Sequence, residues 1–291
     1  MIADPPFNKV AIVGLGLIGG SIALGIRERW PSVLLSGVDR PAVLAHALGG
    51  NAIDRAMASV AELGAADLII LAAPVGQNVS LLADVAAGFS RSGTDRGPIV
   101  TDVGGTKRDI VAAARTLPMG LIFIGGHPIG GAERGGFGFA RPDLFQGRPW
   151  IFTPPPAVAA EPLARLSRLA EGLGARPQSM AADDHDRLMA VLSHLPQLTA
   201  SALMQVVGGT AAADGLRMAG RGLVDTTRLA SSPASVWRDI CAANADAIGP
   251  ALDTLIARLT ELRDDLRRGD RIEATFDDAA RWRLELMKGR D

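Results

Sequence analysis

The sequence predicts an α/β protein in which a doubly wound parallel sheet is followed by an all-helical domain. Short apolar runs alternate with helical stretches from residue 9 to about residue 180. After residue 181 the strand-like runs stop. The alternation is typical of a parallel sheet with helices on both of its faces. We therefore predict two domains, one over residues 1–180 and one over residues 181–291.

The predicted strands are short runs that are apolar along most of their length. Strands buried on both faces of a sheet have this composition. The runs are residues 9–13, 33–38, 68–73, 99–102, 121–124, 150–153 and 176–180. Between them, residues 21–29 and 79–89 have the apolar spacing of helices.

The second half of the chain carries helix signals. Acidic residues directly after residue 181, and Pro233 after two serines, are typical of helix starts. We predict further helices up to Lys288, with breaks near residues 249–250 and 269–270. Helices this apolar need a partner surface, so we also predict a homodimer.

Composition excludes several classes of protein. The chain has 30 basic and 31 acidic residues without a long run of either sign, which predicts no nucleic-acid or membrane-surface binding. Its apolar stretches are too short to span a bilayer, and its first ten residues do not resemble a signal peptide. We expect a cytoplasmic protein that acts on a small molecule. The single cysteine, Cys241, is predicted to be a packing residue.

A glycine-rich turn follows the first predicted strand. Gly14, Gly16 and Gly19 have the G-x-G-x-x-G spacing, with a helical stretch after them. In this motif the first glycine permits a tight turn, the second lets the backbone approach a pyrophosphate, and the third lets helix and strand pack closely. The positive end of the helix attracts the phosphates. The sequence therefore predicts a Rossmann-type dinucleotide-binding domain.

Asp39 selects the cofactor in this prediction. It ends the second strand about twenty residues after the turn, where a carboxylate binds the ribose hydroxyls of NAD and repels the extra phosphate of NADP. Arg40 is next to it and could instead meet that phosphate, but the position of Asp39 favours NAD. The predicted cofactor contacts are Gly14, Gly16, Leu17, Ile18, Gly19, Asp39, Arg40 and Pro74.

The segment "GGHPIGGAERGGF", residues 125–137, delivers a histidine to the same edge of the sheet. We expect His127 to leave its strand in a bare loop whose glycines let cofactor and substrate come close. Pro128 biases the histidine towards an extended backbone. An imidazole titrates near neutral pH, so it suits removal of a hydroxyl proton while hydride leaves the same carbon.

Five blocks resemble the prephenate and arogenate dehydrogenases of tyrosine biosynthesis. They are "GLGLIGGS", "TDVGGTKRDI", "GGHPIGGAERGGF", "SHLPQ" and "GLVDTTRLASSPASVWRDICAAN", in matching order between about Lys9 and Asn244. The resemblance implies a Rossmann domain followed by a helical dimerising domain. It also implies oxidative decarboxylation of a cyclohexadienyl acid, with NAD as the oxidant.

The resemblance implies roles for individual residues. His127 would bind the ring hydroxyl and help to remove its proton, and Arg228 would bind a substrate carboxylate, for which a guanidinium is well shaped. Asp225 would steady the site, and Glu133 would belong to an ionic network near its entrance. Trp237 matches a tryptophan of the substrate domain that could pack or contact substrate. An ordinary helical ion pair between Asp225 and Arg228 is the simpler alternative for those two residues.

Two positions depart from the commonest family pattern. Gly105 stands where many relatives have a serine that orients the histidine, and the hydroxyl of Thr106 could replace it. Gln197 stands where many relatives have a second histidine after S-H-L-P. We list Thr106 and Gln197 as substrate-binding candidates. Because glutamine brings no positive charge, arogenate or another amino-bearing ring acid stays open as the substrate.

Other interpretations compete with this one. A β-hydroxyacid dehydrogenase should carry a lysine at the start of the helical domain, and residues 183–188 offer none. A catalytically silent NAD-sensing protein is the alternative from another class. His185 is interpreted as part of a helix start and His194 as structural, and we predict no metal site. Lys107 could face the active site or be solvated.

Overall fold

The computed structural model describes residues 4–92, 97–131, 134–156 and 159–288. The chain forms two compact units, Met1–Asn244 and Ala245–Asp291. The first unit contains the sheet, the helices that cover it and several further helices, and the second unit contains two helices. Among the described residues no helix is long and apolar enough to cross a membrane.

The first unit is organised around one eight-stranded sheet with the order β3-β2-β1-β4-β5-β6-β7-β8. The strands are β1 Lys9–Val13, β2 Leu34–Val38, β3 Arg55–Ala56, β4 Leu68–Leu71, β5 Ile99–Asp102, β6 Ile122–Pro128, β7 Pro149–Thr153 and β8 Arg176–Ser179. All neighbouring pairs are parallel except β6 and β7. The carboxyl ends of β1, β2, β4, β5 and β6 therefore meet at one edge.

The helices of the first unit alternate with the strands up to β8 and then follow one another. They are α1 Leu17–Arg29, α2 Pro41–Gly49, α3 Val75–Ser92, α4 Arg108–Ala113, α5 Ala160–Gly172, α6 Ala182–Met189, α7 Leu195–Leu216, α8 Arg221–Thr227 and α9 Ala234–Ala243. A π-helical turn, Ala190–His194, joins α6 to α7. The second unit consists of α10 Ala245–Asp265 and α11 Asp270–Met287.

The core lies on both faces of the sheet. Along β1, Val10 and Ile12 pack into one apolar cluster, and Ala11 and Val13 pack into another on the opposite face. This explains why the strands are apolar throughout rather than alternating. Burying a large aliphatic side chain stabilises a fold by about 1.5–3 kcal/mol, so the two clusters hold the sheet rigid beneath its carboxyl edge.

The predicted fold class is confirmed, with three local corrections. The two-residue strand β3 was not predicted, since so short a segment has no pattern. β7 runs antiparallel to β6, because the chain returns from β6 without the crossover helix that a parallel connection needs. The break expected near residues 249–250 is absent, and α10 begins at Ala245 and continues through Pro250. Pro250 is the sixth residue of α10, so the helix lacks the one hydrogen bond that residue 250 would donate to the carbonyl oxygen of Asp246, and it continues past that loss.

The predicted break near residues 269–270 is present. Gly269 has a φ of +89° directly before α11, a conformation that favours glycine. Cys241 is half-buried in α9, and burial raises the pKa of its thiol. A packing role agrees with that environment.

Candidate active site

The glycine turn lies between β1 and α1. A Cβ atom on Gly14, whose φ is +95°, would lie 2.6 Å from the carbonyl oxygen of Ala72, and one on Gly19 would lie 1.9 Å from the carbonyl oxygen of Gly14. These two glycines are required by packing. A Cβ on Gly16 would meet nothing within 4 Å. Gly16 therefore borders open space at the start of α1, as a pyrophosphate cradle requires.

Asp39 lies directly beside this turn. Its carboxylate accepts hydrogen bonds from the backbone N–H groups of Leu15 and Arg40, each at 2.6 Å. The Arg40 side chain is 86% exposed, with its Nε 3.8 Å from the carboxylate. Leu17 and Ile18 open α1, and Pro74 precedes α3. All the predicted cofactor residues thus lie along the carboxyl edge of β1, β2 and β4.

His127 lies inside β6 and not in a loop. It is paired with Ile151 of the antiparallel strand β7, so the expectation of a bare loop is wrong. The two glycines before His127 are needed for close packing within the sheet. A Cβ on Gly125 would lie 2.4 Å from Thr153 Oγ1, and one on Gly126 would lie 2.6 Å from the carbonyl oxygen of Asp102. These glycines let neighbouring chain segments pack closely.

A buried ion pair between Lys107 and Asp102 holds the backbone of Gly126, the residue before His127. The Lys107 ammonium donates to the Asp102 carboxylate, which also accepts the N–H groups of Gly104 at 2.8 Å and Gly126 at 3.1 Å. Lys107 is fully buried rather than solvated. Burial lowers the pKa of Lys107, and the neighbouring Asp102 opposes that shift.

Two buried polar groups at this edge have no hydrogen-bond partner among the described residues. They are the hydroxyl of Thr106 and the amide nitrogen of Asn78. Unpaired buried polar atoms are costly, so each is a ready contact for a polar ligand atom. The position that a Cβ of Gly105 would take lies 4.0 Å from Nε2 of His127 and 3.6 Å from Ile240 Cδ1. Gly105 therefore borders His127 on its Nε2 side.

The other nitrogen of His127 contacts a second histidine. Its Nδ1 lies 2.8 Å from Nε2 of His185, whose Nδ1 lies 2.7 Å from Oδ1 of Asp186. Burial is the largest cause that lowers the pKa of His127 well below its ordinary value, followed by repulsion from His185, Lys107 and His194. His127 is therefore neutral near pH 7. The interpretation of His185 as merely part of a helix start missed this contact.

The carboxylate of Asp186 is tied to the start of α4. It accepts the backbone N–H groups of Lys107 at 2.8 Å and Arg108 at 2.9 Å, and Nε of Arg108 at 3.2 Å. Burial alone would raise the pKa of Asp186. The hydrogen bonds from His185 and the two backbone N–H groups outweigh burial and hold that pKa below its usual value.

Asn244 connects this cluster to the later helices. It accepts a hydrogen bond from Arg108 at 2.7 Å and donates one to the carbonyl oxygen of Asp186 at 2.8 Å. Its amide nitrogen also lies 3.1 Å from Nδ1 of His194. Burial lowers the pKa of His194 to about 4. The ring of Trp237 packs edge-on against His194 at 5.9 Å, which agrees with a packing role for both residues.

The remaining predicted residues lie further along the helices. Gln197 is buried, and its amide donates to the carbonyl oxygen of Leu229 at 2.7 Å and accepts from the Ser232 hydroxyl at 3.1 Å. It thereby braces the 3-10 turn Arg228–Ser231. Asp225 and Arg228 are exposed, and Asp225 lies 3.5 Å from Arg221 Nε.

Glu133 lies outside the described residues. Among the described residues no group of three or more His, Cys, Asp or Glu side chains is arranged to hold a metal ion.

Comparison with known proteins gives the class and then the family. The sheet, the glycine turn and the histidine at the same sheet edge define the class, a dinucleotide-dependent oxidoreductase. Two family models match: "Prephenate dehydrogenase, nucleotide-binding domain" over residues 22–178 and "Prephenate dehydrogenase, dimerization domain" over residues 181–276. The chain belongs to the prephenate dehydrogenase family, and the resemblance noted in the sequence is confirmed.

Three similar proteins illustrate the family. The chain is 34% identical to prephenate dehydrogenase of Bacillus subtilis, over 90% of this chain and 71% of that one. It is 32% identical to cyclohexadienyl dehydrogenase of Zymomonas mobilis, over 98% of both chains. A crystal structure of prephenate dehydrogenase from A. aeolicus in complex with hydroxyphenyl propionate and NAD+ has a TM-score of 0.85 and 28% identity, over 96% of this chain and 98% of that one.

Proposed function

We propose that the chain is an NAD-dependent prephenate dehydrogenase that converts prephenate to 4-hydroxyphenylpyruvate and carbon dioxide. The observation that carries this proposal is the position of His127 at the carboxyl edge of the sheet, with Nδ1 bonded to His185 and Nε2 towards Gly105. A neutral imidazole at that edge suits a reaction in which a ring hydroxyl loses its proton.

NAD fits the residues that border the glycine turn. Gly16 leaves open space before α1, and the Asp39 carboxylate lies beside the turn, where the ribose hydroxyls of a dinucleotide bind. The A. aeolicus structure holds NAD+. Bound there, the cofactor supplies a nicotinamide ring that accepts hydride from the substrate carbon.

The residues of this chain then handle the proton and the carboxylates. His127 Nε2 accepts the proton of the ring hydroxyl as that carbon is oxidised to a ketone. Loss of carbon dioxide makes the ring aromatic, and the ring oxygen takes a proton back from His127 to become the phenol. The Thr106 hydroxyl is a candidate donor to the substrate, since it has no partner among the described residues.

Arg228 is the proposed partner of a substrate carboxylate, and Glu133, Asp225 and Gln197 stay predicted substrate-site residues. The amide of Gln197 is occupied on both sides by the turn that begins at Arg228. Its contribution would therefore be to hold that turn in place.

Arogenate is the second candidate substrate. A relative at 32% identity is named cyclohexadienyl dehydrogenase, and the neutral Gln197 stands where many relatives carry a histidine. The deciding experiment is NADH formation by the purified protein with prephenate and arogenate offered separately, each with NAD and NADP. Turnover of arogenate alone would change the substrate and keep the mechanism. A lower KM for NADP than for NAD would contradict the role of Asp39, and tight NAD binding without turnover would favour the sensing protein.

Replacing Arg228 with alanine should raise the KM for prephenate by about tenfold or more and change kcat little. A charge-assisted bond to a carboxylate contributes about 1.5–3 kcal/mol of binding, and its loss weakens ground state and transition state alike. The measurement is steady-state kinetics at saturating NAD. Arg221→Ala, seven residues earlier and also exposed, is the control. A fall in kcat with unchanged KM would assign Arg228 to the chemical step instead.

A homodimer is the proposed assembly, because residues 181–276 match a dimerization domain. Large apolar side chains are exposed on its helices, including Val206 at 66%, Val224 at 61% and Phe276 at 70%. Apolar surface of this extent marks an interaction surface in most proteins. Sedimentation velocity at micromolar concentration should give the mass of two chains. A compact species of about 30 kDa would refute the dimer.

A further inference from the structure

We propose that His185 and Asp186 are positioning residues for His127. They fix which nitrogen of His127 carries a proton, and they take up the proton that His127 removes from the substrate. The catalytic part of this inference rests on the proposed function. The structural part concerns protons of the resting protein and is testable without substrate.

The direction of the hydrogen bonds follows from the carboxylate. An ionised carboxylate only accepts, so Nδ1 of His185 carries the hydrogen that it shares with Asp186. In neutral His185 the other nitrogen, Nε2, then has a lone pair. That lone pair lies 2.8 Å from Nδ1 of His127, which must therefore be the donor. Neutral His127 is left with its own lone pair on Nε2.

This arrangement makes His127 a base on its open side. Nε2 lies towards Gly105, and no hydrogen-bond partner of Nε2 is found among the described residues. The opposite tautomer would place a hydrogen on Nε2 and prevent it from accepting the substrate proton. Asp186 thus determines the tautomer of His127 through His185, without contacting it.

The same bonds carry the proton away. When Nε2 of His127 takes the hydroxyl proton, the hydrogen on Nδ1 can move to Nε2 of His185. His127 is then neutral again, and His185 holds two hydrogens and a positive charge beside the Asp186 carboxylate. When the ring oxygen of the product needs a proton, both hydrogens move back. Atoms and charge balance, and no further acid or base is required.

The charges around His127 explain why a relay is useful. Burial disfavours a positive charge on His127, and the Lys107 ammonium adds to this effect although it is paired with Asp102. Arg108 binds Oδ2 of Asp186, while Oδ1 accepts from His185 Nδ1 and from the backbone N–H of Lys107. A proton on His127 is therefore disfavoured, whereas one on His185 lies directly against a carboxylate.

Gly105 makes the orientation by His185 more important. Residue 105 has no side chain, so it offers no hydrogen-bonding group to His127 on the Nε2 side. Ring orientation then depends on the Nδ1 side, where His185 holds it. His185, on the Nδ1 side of His127, thus supplies the orientation that Gly105, on the Nε2 side, does not.

Nitrogen NMR of the resting protein tests the tautomers directly. The chain has four histidines, so selective ¹⁵N labelling of histidine gives an assignable spectrum. At pH 8, without substrate or cofactor, His127 should show a protonated Nδ1 and an unprotonated Nε2, and so should His185. A protonated Nε2 on His127 in the neutral protein would overturn the inference. This result does not depend on which substrate the enzyme uses.

The variant His185→Phe tests the catalytic consequence. Phenylalanine keeps a ring of similar size and removes both nitrogens, so kcat should fall about a hundredfold, the usual worth of a positioned acid–base group, with KM values for NAD and substrate within a factor of about two. The ¹⁵N spectrum of the variant should show hydrogen on Nε2 of His127 in part of the population. A merely structural role would change the melting temperature and leave the tautomer as it was.

A matched control and the wild-type spectrum keep the test decisive. His46→Gln changes an exposed histidine on α2 that lies outside the buried cluster and has no hydrogen bond to His127, so kcat and the His127 tautomer should be retained. If His185→Phe does not fold, the wild-type tautomers still confirm or refute the positioning. If His185→Phe keeps full kcat, the relay is refuted. If the wild type turns over neither ring acid, the proposed function fails while the tautomer result stands.

Discussion

His127→Asn should lower kcat for prephenate by about a hundredfold or more and leave the binding of NAD unchanged. Asparagine keeps a polar group of similar reach but cannot accept a proton, and a positioned acid–base group contributes about 10²–10⁴ in rate. Its position inside β6 is compatible with a smaller side chain, because strand pairing with β7 uses backbone atoms. The measurement is NADH formation, together with titration of NAD binding. His46→Asn, at an exposed position on α2, is the control and should retain full activity.

The pH profile of the wild type carries the signature of the same residue. The base is the neutral form of His127, and burial with nearby positive groups holds its pKa well below the ordinary value. The kcat/KM should therefore stay level as pH falls through 6.5 and decline only at lower pH. Loss of half of the activity at pH 6.5 would contradict this assignment, since an ordinary solvated histidine titrates there. His127→Asn should abolish the decline.

The parts of the site that follow from local pattern were predictable from the sequence. The glycine turn and Asp39 needed only a motif, a strand and a spacing, and the structure places them at one edge of the sheet. His127 was predicted at the same edge because it follows directly after a predicted strand, at the carboxyl end where the nicotinamide would lie. The strand conformation of His127 was not predicted. It depends on pairing with the antiparallel strand β7, which begins more than twenty residues later in the chain.

The parts that depend on distant contacts could not be predicted. His185 follows His127 by 58 residues, and only the folded chain brings the two rings within 2.8 Å. Its neighbours in sequence are acidic, which is equally typical of a helix start. A histidine followed by aspartate at the start of the helical segment was the available signal. Gln197 shows the same limit, since its amide partners Leu229 and Ser232 lie more than thirty residues away.

Gly19→Ala should destabilise the first unit by roughly 3 kcal/mol or more and abolish NAD binding. The new Cβ would lie 1.9 Å from the carbonyl oxygen of Gly14, a backbone atom in a turn that is itself wedged against Ala72. Overpacking of a core usually costs about 1–3 kcal/mol, and here no flexible side chain can move to relieve it. Helix α1 would have to separate from β1. The measurements are thermal unfolding and NAD titration.

Gly16→Ala distinguishes a glycine required for stable packing from one required for NAD binding. Its Cβ would meet nothing within 4 Å and its φ of −74° suits alanine, so the melting temperature should change by only a few degrees. The open space is where we place the pyrophosphate, so NAD affinity should fall about tenfold or more. Gly209→Ala, in open space within α7, is the control and should be neutral or slightly stabilising, because alanine favours a helix interior. If Gly16→Ala binds NAD as tightly as the parent, the dinucleotide does not lie over this turn. In that case Gly14 and Gly19 would be needed only for the packing of α1 against the sheet, and not for cofactor binding.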